Sequence, residues 1–317
     1  MKSRKIELVQ GAGTFVAPNA IDVDGERYVG RHVVLATGSY ARSLPDLEIG
    51  GRIITSDQAL TLEEVPKKVV VLGGGVIGVE FASVWRSFGA DVTVVEALPR
   101  LVPQRGRLRL QAARARLPQA QDRLQDRRPV HRRQAGRQRC DRQLESGEEI
   151  EADLLLVAVG RGPNTTGHGY EEAGVTMERG FVLTDERLHT NLENVYAVGD
   201  IVPGLQLAHR GFAQGIFVAE DIAGLNPPPI DEAGIPRVTY CEPEVASVGL
   251  TEEQAREKHG EIQTLTYDLG GNGKSQILQT SGAIKLVKAG AEGGTPGPVV
   301  GLHMVAPASA SSSARRS

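Results

Sequence analysis

The fold of this chain can be inferred from Val69-Val70-Val71-Leu72-Gly73-Gly74-Gly75-Val76-Ile77-Gly78-Val79-Glu80. The apolar run predicts a strand, the G-x-G-x-x-G spacing predicts a tight turn, and the amphipathic stretch from Val79 to Phe88 predicts a helix. Gly73 allows the turn, Gly75 has no Cβ to hold a pyrophosphate away, and Gly78 lets the helix pack closely against the strand. The helix N-terminus then offers unpaired N–H groups to phosphate oxygens. This unit predicts a dinucleotide-binding, Rossmann-like domain.

Glu96 follows the next predicted strand, Asp91-Val92-Thr93-Val94-Val95, and lies 18 residues after Gly78. An acidic side chain at this place reaches the adenosine ribose in such units. A carboxylate accepts hydrogen bonds from the ribose hydroxyls of NAD, but it would meet the 2′-phosphate of NADP as a like charge, at a cost on the order of several kcal/mol when desolvated. Glu96 therefore predicts selectivity for NAD, although a solvated glutamate at a strand end would look the same in sequence.

The composition places the chain among ordinary globular proteins. Its 317 residues suffice for two domains with sizeable cores. The sequence has no apolar run near the roughly 18 residues of a membrane span, and its basic start lacks the apolar core of a signal peptide. Two cysteines, Cys140 and Cys241, are too few for a disulfide framework. We therefore expect a cytoplasmic protein that does not bind a membrane.

The formal net charge of −3 conceals a basic segment at residues 104–143, which contain 13 Arg, no Lys and 3 acidic residues. This segment has no apolar period of 2 or 3.6, so we expect it to be irregular and to contribute no packed core. One interpretation is a nucleic-acid-binding insertion, which its local charge of +10 supports. The other is out-of-frame translation between two compensating shifts, which its Arg, Ala, Gln, Pro and Gly bias favours. We favour the second, and predict no nucleic-acid partner.

Several strand-ending glycine motifs and later segments resemble one family when they are taken in chain order. They are Ala36-Thr37-Gly38-Ser39, the Gly73–Glu80 unit with Glu96, Gly160-Arg161-Gly162-Pro163-Asn164, Tyr196-Ala197-Val198-Gly199-Asp200, Leu207-Ala208-His209, and Tyr240-Cys241-Glu242-Pro243-Glu244-Val245-Ala246-Ser247-Val248-Gly249. The chain resembles the flavin-dependent pyridine nucleotide–disulfide oxidoreductases, and among them the dihydrolipoyl dehydrogenases. The resemblance covers about residues 6–103 and 144–305.

This resemblance implies FAD and NAD as cofactors. The implied FAD contacts are Gly13, Thr37, Gly38, Ser39, Asp200, Gln206, Leu207, Ala208 and His209. The implied NAD contacts are Gly73, Gly74, Gly75, Val76, Ile77, Gly78, Val79, Glu80, Glu96 and Gly160. We assign catalysis to no residue and predict no metal. His209 lies in a flavin-binding neighbourhood, and Asp200 could alternatively be a plain helix cap.

The departures from the family pattern bear on activity. The family begins with an FAD fingerprint and a Cys-x4-Cys redox disulfide, and we expect this chain to start after both. Cys140 and Cys241 are 101 residues apart and cannot replace that pair. The family's His–Glu base is expected to be missing too, because the chain leaves the pattern after Val305; His303 is expected to be structural.

The predicted fold class is α/β, with two nested, three-layer Rossmann-like domains for FAD and NAD(P), followed by an incomplete α+β dimerisation domain. The predicted domains are a partial FAD domain (1–65), an NAD domain (66–165), a returning FAD segment (166–230), a truncated interface domain (231–305) and a low-complexity tail (306–317). The resemblance implies a homodimer that serves the lipoyl domains of a 2-oxo acid dehydrogenase complex. The alternatives are a mercuric or glutathione reductase type of enzyme and a non-catalytic nucleotide-binding remnant.

Overall fold

The computed structural model describes residues 4–98, 101–102, 140–143, 149–290 and 297–307. The strands are β1 (Gly13–Ala17), β2 (Ala20–Val23), β3 (Glu26–Val29), β4 (Val33–Leu35), β5 (Ser39–Ala41), β6 (Ile53–Ile54), β7 (Lys68–Leu72), β8 (Asp91–Val95), β9 (Cys140–Gln143), β10 (Glu149–Ala152), β11 (Leu154–Val157), β12 (Arg161–Pro163), β13 (Met177–Glu178), β14 (Phe181–Val182), β15 (Val195–Ala197), β16 (Arg237–Thr239), β17 (Glu244–Gly249), β18 (Ile262–Asp268), β19 (Ala283–Ala289) and β20 (Val299–Ala306). The α-helices are α1 (Ser56–Ala59), α2 (Val76–Ser87), α3 (Ala208–Ile222), α4 (Glu252–His259) and α5 (Gly273–Leu278).

The chain divides into two compact units, each built from two separate parts of the sequence. The first unit comprises residues 1–40 and 161–232, and the second comprises residues 41–160 and 233–317. The five predicted domains, with their finer boundaries, stay a prediction.

The first unit contains an antiparallel sheet of order β1-β2-β3 and a parallel pair, β4 and β15. Turns at Pro18-Asn19 and Asp24-Gly25 connect the three antiparallel strands. Both parallel strands contribute apolar side chains to one buried core. These are Val33 and Leu35 of β4 and Val195 and Ala197 of β15, which pack there with Phe15. Because β4 and β15 run in the same direction, their carboxyl ends and the glycine motifs that follow meet at one edge.

The second unit contains a parallel sheet of order β6-β11-β7-β8. Strand β7 lies inside it, and its alternate side chains enter two separate cores, with Val70 and Leu72 in one and Val69 and Val71 in the other. This explains why the strand reads as a continuous apolar run: a parallel strand is buried on both faces. Helix α2 connects β7 to β8, as the sequence predicts, but begins at Val76 and not at Val79.

Two glycines are required where α2 leaves β7. Gly73 has φ 109°, and a Cβ on it would lie 2.3 Å from the carbonyl oxygen of Ala158. A Cβ on Gly78 would lie 1.9 Å from the carbonyl oxygen of Gly73 and 3.2 Å from Val71 Cγ1. Only glycine therefore permits this approach of helix to strand, which confirms the roles predicted for Gly73 and Gly78.

Some segments differ from the sequence-based expectation. Residues 140–143, expected to be irregular, form β9, which pairs antiparallel with β10 in a two-stranded sheet. The rest of the basic segment lies outside the described residues. Residues 40–67, for which the sequence indicated no strand, supply β6 at the edge of the parallel sheet through the pairing of Ile53 with Leu155. Two residues are too few to show an apolar period, so the sequence carried no signal for this strand.

Residues 235–307 build a five-stranded antiparallel sheet of order β16-β17-β20-β19-β18. Helices α4 and α5 lie in the same region, as an α+β domain requires, and α5 is capped by the Asn272 side chain, which accepts from Ser275 N at 2.8 Å. His303 lies in β20 and is 4% exposed, and its Nε2 is 2.9 Å from the carbonyl oxygen of Leu250. This burial supports a structural role for His303.

Stability should depend on pH through His303. Burial lowers the pKa of this imidazole below its ordinary value of 6.5, and Arg237 and Lys285 act in the same direction. Well above pH 6.5 the ring is neutral in both states. As the pH falls, the unfolded chain takes up the proton first, so the free energy of unfolding decreases until the pH passes the folded-state pKa.

Urea denaturation at about pH 7.5 and about pH 5.5 measures this effect. His303→Gln should reduce the loss of stability between the two pH values, whereas His259→Gln, at the exposed end of α4, should leave it unchanged. An equal loss in the wild type and in His303→Gln would contradict the prediction.

Helix α2 also forms hydrogen bonds with the segment between β16 and β17. Tyr240 N donates to Glu80 Oε1 at 2.8 Å, and Glu242 N donates to Ser83 Oγ at 3.0 Å. These acceptors are three residues apart and therefore lie on the same side of the helix.

Ser83→Ala should speed hydrogen exchange of the Glu242 amide by about fivefold, since one hydrogen bond stabilises by about 1 kcal/mol. Ser87→Ala is the matched control, because it raises the helix propensity equally while the Ser87 hydroxyl donates only to Ser83 O. Equal exchange rates at Glu242 in both variants would contradict the anchoring role.

Among the residues that the structure describes, none of the helices combines the length and the apolar character that a membrane crossing requires.

Candidate functional site

The glycine-rich loop and Glu96 form one hydrogen-bonded structure in the second unit. Gly73 N donates to Val95 O at 2.9 Å, so the loop is held against the end of β8. The half-buried Glu96 carboxylate accepts from Gly74 N at 2.6 Å through Oε2 and from Leu98 N at 2.8 Å through Oε1. Glu96 thus lies beside the loop, as the sequence predicts, and these backbone bonds fix the orientation of its carboxylate.

The N-terminus of α2 has the form of a phosphate site. Gly75 is its N-cap, with extended φ −71° and ψ −174°, and no side chain caps the helix. A Cβ added to Gly75 would meet no heavy atom within 4 Å, so the space before the helix is open. Open space and unpaired helical N–H groups are what a dinucleotide pyrophosphate requires, and the residues present therefore fit this group.

The other predicted NAD contacts surround the same turn. Val76, Ile77, Gly78, Val79 and Glu80 form the first turns of α2. Gly160 lies two residues beyond Ala158, whose carbonyl faces Gly73, and its own carbonyl accepts from Arg42 N at 3.0 Å. The Glu80 carboxylate accepts from Tyr240 N, which the sequence did not indicate.

The edge where β4 and β15 end, in the first unit, brings together residues from three distant motifs. Ser39 Oγ donates to Asp200 Oδ2 at 2.5 Å. Arg161 binds the same serine twice, from Nε to Ser39 Oγ at 2.7 Å and from Nη2 to Ser39 O at 2.7 Å. A carboxylate, a hydroxyl and a guanidinium thus lie next to each other. Together they offer the acceptors and donors that a binding site for sugar hydroxyls and phosphates requires.

A second network supports the first. Thr37 Oγ1 lies 2.5 Å from Asn164 O and 3.1 Å from the hydroxyl of Tyr170, and Asn164 Nδ2 donates to Thr37 O at 3.1 Å. Burial raises the pKa of Tyr170, so its hydroxyl is neutral at pH 7 and can donate. The backbone of Asn164 also donates to Gly38 O at 2.8 Å, which fixes the strand end next to an open face of Gly38.

The segment after Asp200 leads into α3. Gln206 Nε2 donates to Asp200 O at 3.3 Å, Leu207 is the N-cap of α3, and Ala208 and the exposed His209 begin the helix. Gln214, only 1% exposed, accepts from Gly199 N at 2.7 Å. The remaining predicted residue, Gly13, begins β1 and pairs with Val23. Which of these groups touch a cofactor stays a prediction.

Four further side chains form hydrogen bonds with the predicted residues or their neighbours but were not assigned from the sequence: Arg161, Asn164, Tyr170 and Gln214. Arg161 and Asn164 belong to the Gly160–Asn164 motif, so that motif was the available signal. Gln214 and Tyr170 carried none, because a buried polar side chain shows its partner only in the folded chain.

Cys241 is the cysteine whose side chain the structure describes, and it is reduced. Burial, together with the carboxylates of Glu80, Glu242 and Glu244, raises the pKa of its thiol to about 11. Since the thiolate is the nucleophile in disulfide exchange, Cys241 is a poor one at neutral pH. No group of three His, Cys, Asp or Glu side chains in the described part of the chain is placed to hold a metal ion.

Two family models match most of the chain. The model described as pyridine nucleotide-disulphide oxidoreductase matches residues 1–215, and the model of the dimerisation domain of the same family matches residues 235–314.

Curated relatives include dihydrolipoyl dehydrogenases from plants and bacteria. A mitochondrial one from Pisum sativum is 38% identical over 318 residues, which cover 96% of this chain and 63% of the relative. One from Bacillus subtilis is 36% identical over 302 residues, which cover 90% of this chain and 63% of the relative. The chain thus spans less than two thirds of these relatives.

Solved structures with the same fold include flavoprotein disulfide reductases. RclA from Escherichia coli, in a copper(II) complex, superposes with a TM-score of 0.82 and 27% identity, covering 96% of this chain and 70% of that one. LpdA from Mycobacterium tuberculosis gives 0.83 and 26%, covering 96% and 69%. These matches confirm the predicted fold class, including the dimerisation domain.

Proposed function

Because the chain belongs to the pyridine nucleotide-disulphide oxidoreductase family, we propose that it serves an NAD-linked dihydrolipoyl dehydrogenase reaction. Membership of this family implies FAD and NAD as cofactors. The observation that carries the proposal is the bond from Gly74 N to the Glu96 carboxylate, since it holds an acidic group beside the open helix N-terminus, where NAD presents its ribose. The identity to dihydrolipoyl dehydrogenases favours this family member over a mercuric or glutathione reductase.

The chain's own residues bind and orient the cofactors. Backbone N–H groups at Gly75 and the start of α2 would hold the NAD pyrophosphate, and Glu96 would hold the ribose. Ser39, Asp200 and Arg161 would hold the ribityl or phosphate part of FAD, with Thr37 and Asn164 keeping that edge in place. The bound cofactors supply the redox chemistry, in which electrons from a dithiol pass through the flavin to NAD.

Calorimetric titration with NAD+ and with NADP+ tests the proposal. We expect NAD+ to bind more tightly, because the 2′-phosphate of NADP+ would meet Glu96. Equal affinities for both nucleotides would contradict the selectivity assigned to Glu96. Binding of neither nucleotide would contradict the proposed function.

A second function, nucleotide binding without turnover, is favoured by the cysteines of the 317-residue chain. Its two cysteines are Cys140 and Cys241, so a Cys-x4-Cys pair does not occur in this sequence. The raised pKa of Cys241 further opposes thiolate attack on a disulfide.

This second function predicts that the purified 317-residue chain shows no NAD-dependent oxidation of dihydrolipoamide above a control without enzyme. NAD+ binding by the same sample serves as the control for folding. Turnover well above the background would overturn this prediction and would require another electron entry point.

The partners and the location are also proposals. The match to a dimerisation domain supports a homodimer, and the relatives' names support lipoyl domains of a 2-oxo acid dehydrogenase complex as the source of the dithiol. A cytoplasmic location rests on the two cysteines alone.

A further inference from the structure

Four buried side-chain polar atoms in the described part of the chain have no hydrogen-bond partner, and all four lie in the five-stranded sheet of the dimerisation domain. They are Arg237 Nε, Thr239 Oγ1, Ser247 Oγ and His303 Nδ1. Buried polar groups in proteins are nearly always paired with protein or with ordered water. Four such atoms in one sheet therefore indicate a missing partner at this place.

Three of these atoms belong to one row across the sheet. Arg237 of β16 is paired with Ser247 of β17, and Ser247 is paired with His303 of β20. Side chains directly opposite each other in an antiparallel sheet project from the same face, with Cβ atoms about 4.5–5.5 Å apart. Thr239 lies on the same face but is paired with Val245, one step away from the row.

The last residue of β17 and the residue after it cover the row. Arg237 Nη2 donates to Gly249 O at 2.8 Å, and His303 Nε2 contacts Leu250 O at 2.9 Å. Ser247 is 3% exposed and His303 is 4% exposed, so bulk solvent does not satisfy their free atoms.

The hydrogen-bonding requirements of the three atoms complement each other. A carbonyl oxygen only accepts, so His303 Nε2 carries the hydrogen, and Nδ1 of the neutral ring is an acceptor. Arg237 Nε–H is a donor, and the Ser247 hydroxyl can do either. The lowered pKa of His303 agrees with a neutral ring.

A ligand that both accepts and donates hydrogen bonds meets these requirements together. An anion without a hydrogen could accept from Arg237 but could not donate to His303 Nδ1, and a metal cation would be repelled by Arg237 and by Lys285, which is paired with His303 on the other side. A water molecule accepts from Arg237, donates to His303 and exchanges a hydrogen bond with Ser247.

We propose that one ordered water molecule binds between Arg237, Ser247 and His303 beneath the Gly249–Leu250 segment. This water completes a polar row that continues to Lys285, which forms an ion pair with Glu252 of α4. The water would join strands β16, β17 and β20, and the ion pair between Lys285 and Glu252 connects the next strand, β19, to α4.

A high-resolution crystal structure of the full chain tests the site directly. We expect a water within hydrogen-bond distance of Arg237 Nε, Ser247 Oγ and His303 Nδ1. A direct bond from the Ser247 hydroxyl to His303 Nδ1, with no water between them, would overturn the proposal.

Nitrogen-15 NMR of the His303 ring gives a second readout in solution. In the wild type and in Ser247→Ala we expect the neutral tautomer with hydrogen on Nε2, because the water retains two partners. Ser247→Val should fill the site and displace the water, and the His303 resonances should shift. Thr266→Val, at the exposed end of the same row, is the matched control and should shift nothing. A His303 ring protonated on Nδ1 in the wild type would overturn the proposal, as would unchanged His303 resonances in Ser247→Val.

Discussion

Gly75→Ala is expected to weaken NAD+ binding by about 100-fold while the fold stays intact. The added methyl group would enter the open space before α2, where no atom lies within 4 Å, and would displace the pyrophosphate from the helix N-terminus. Gly75 has φ −71°, which alanine adopts without strain, so the cost to the apo protein is that of an N-cap replacement, at most about 1 kcal/mol. Calorimetry of NAD+ binding and thermal unfolding of the same sample measure the two effects separately.

Gly78→Ala provides the contrast, three residues further on. Its Cβ would lie 1.9 Å from Gly73 O, and overpacking of this kind costs about 1–3 kcal/mol or more. This variant should lose stability together with binding. If Gly75→Ala bound NAD+ as tightly as the wild type, the assignment of the loop to the pyrophosphate would be wrong.

Glu96→Ala should reduce the preference for NAD+ over NADP+ by about 100-fold, because a like-charge contact of several kcal/mol is removed. Part of the change should appear as weaker NAD+ binding, since Gly74 N and Leu98 N lose their acceptor. Titration of both nucleotides against the wild type and the variant gives the ratio.

Asp91→Ala is the matched control for Glu96→Ala. Asp91 is an exposed carboxylate at the opposite end of β8, so its removal changes the net charge equally but leaves the ribose position untouched. The preference for NAD+ should be unchanged in Asp91→Ala. An equal change in both variants would assign the selectivity to overall charge rather than to Glu96.

The sequence predicted the strand–turn–helix–strand geometry of the second unit well, because the information there is local. Strand β7, the glycine turn, α2 and β8 are consecutive, and each glycine is needed by backbone geometry within a few residues of it. Glu96 follows the last strand directly, so its position next to the loop was set once the strand–helix–strand order was known.

The first unit shows where such inference stops. The motifs that end in Ser39 and Asp200 were recognised separately, but nothing in the sequence states that their strands are parallel neighbours. The pairing of β4 with β15 joins residues 162 positions apart, and Arg161 then binds Ser39, which donates to Asp200.

Local chemistry thus determines the turns, the helix caps and the alternation of apolar residues. These features suffice to identify the family and the motifs that its sites are built from. The partners of polar side chains come from strand order and register, which depend on how distant segments bury their apolar faces together. Four features could therefore be recognised only in the folded chain, because each joins residues that packing, and not sequence, makes neighbours. They are the bonds from Arg161 to Ser39 and from Gly199 to Gln214, the edge strand β6, and the row from Arg237 to His303.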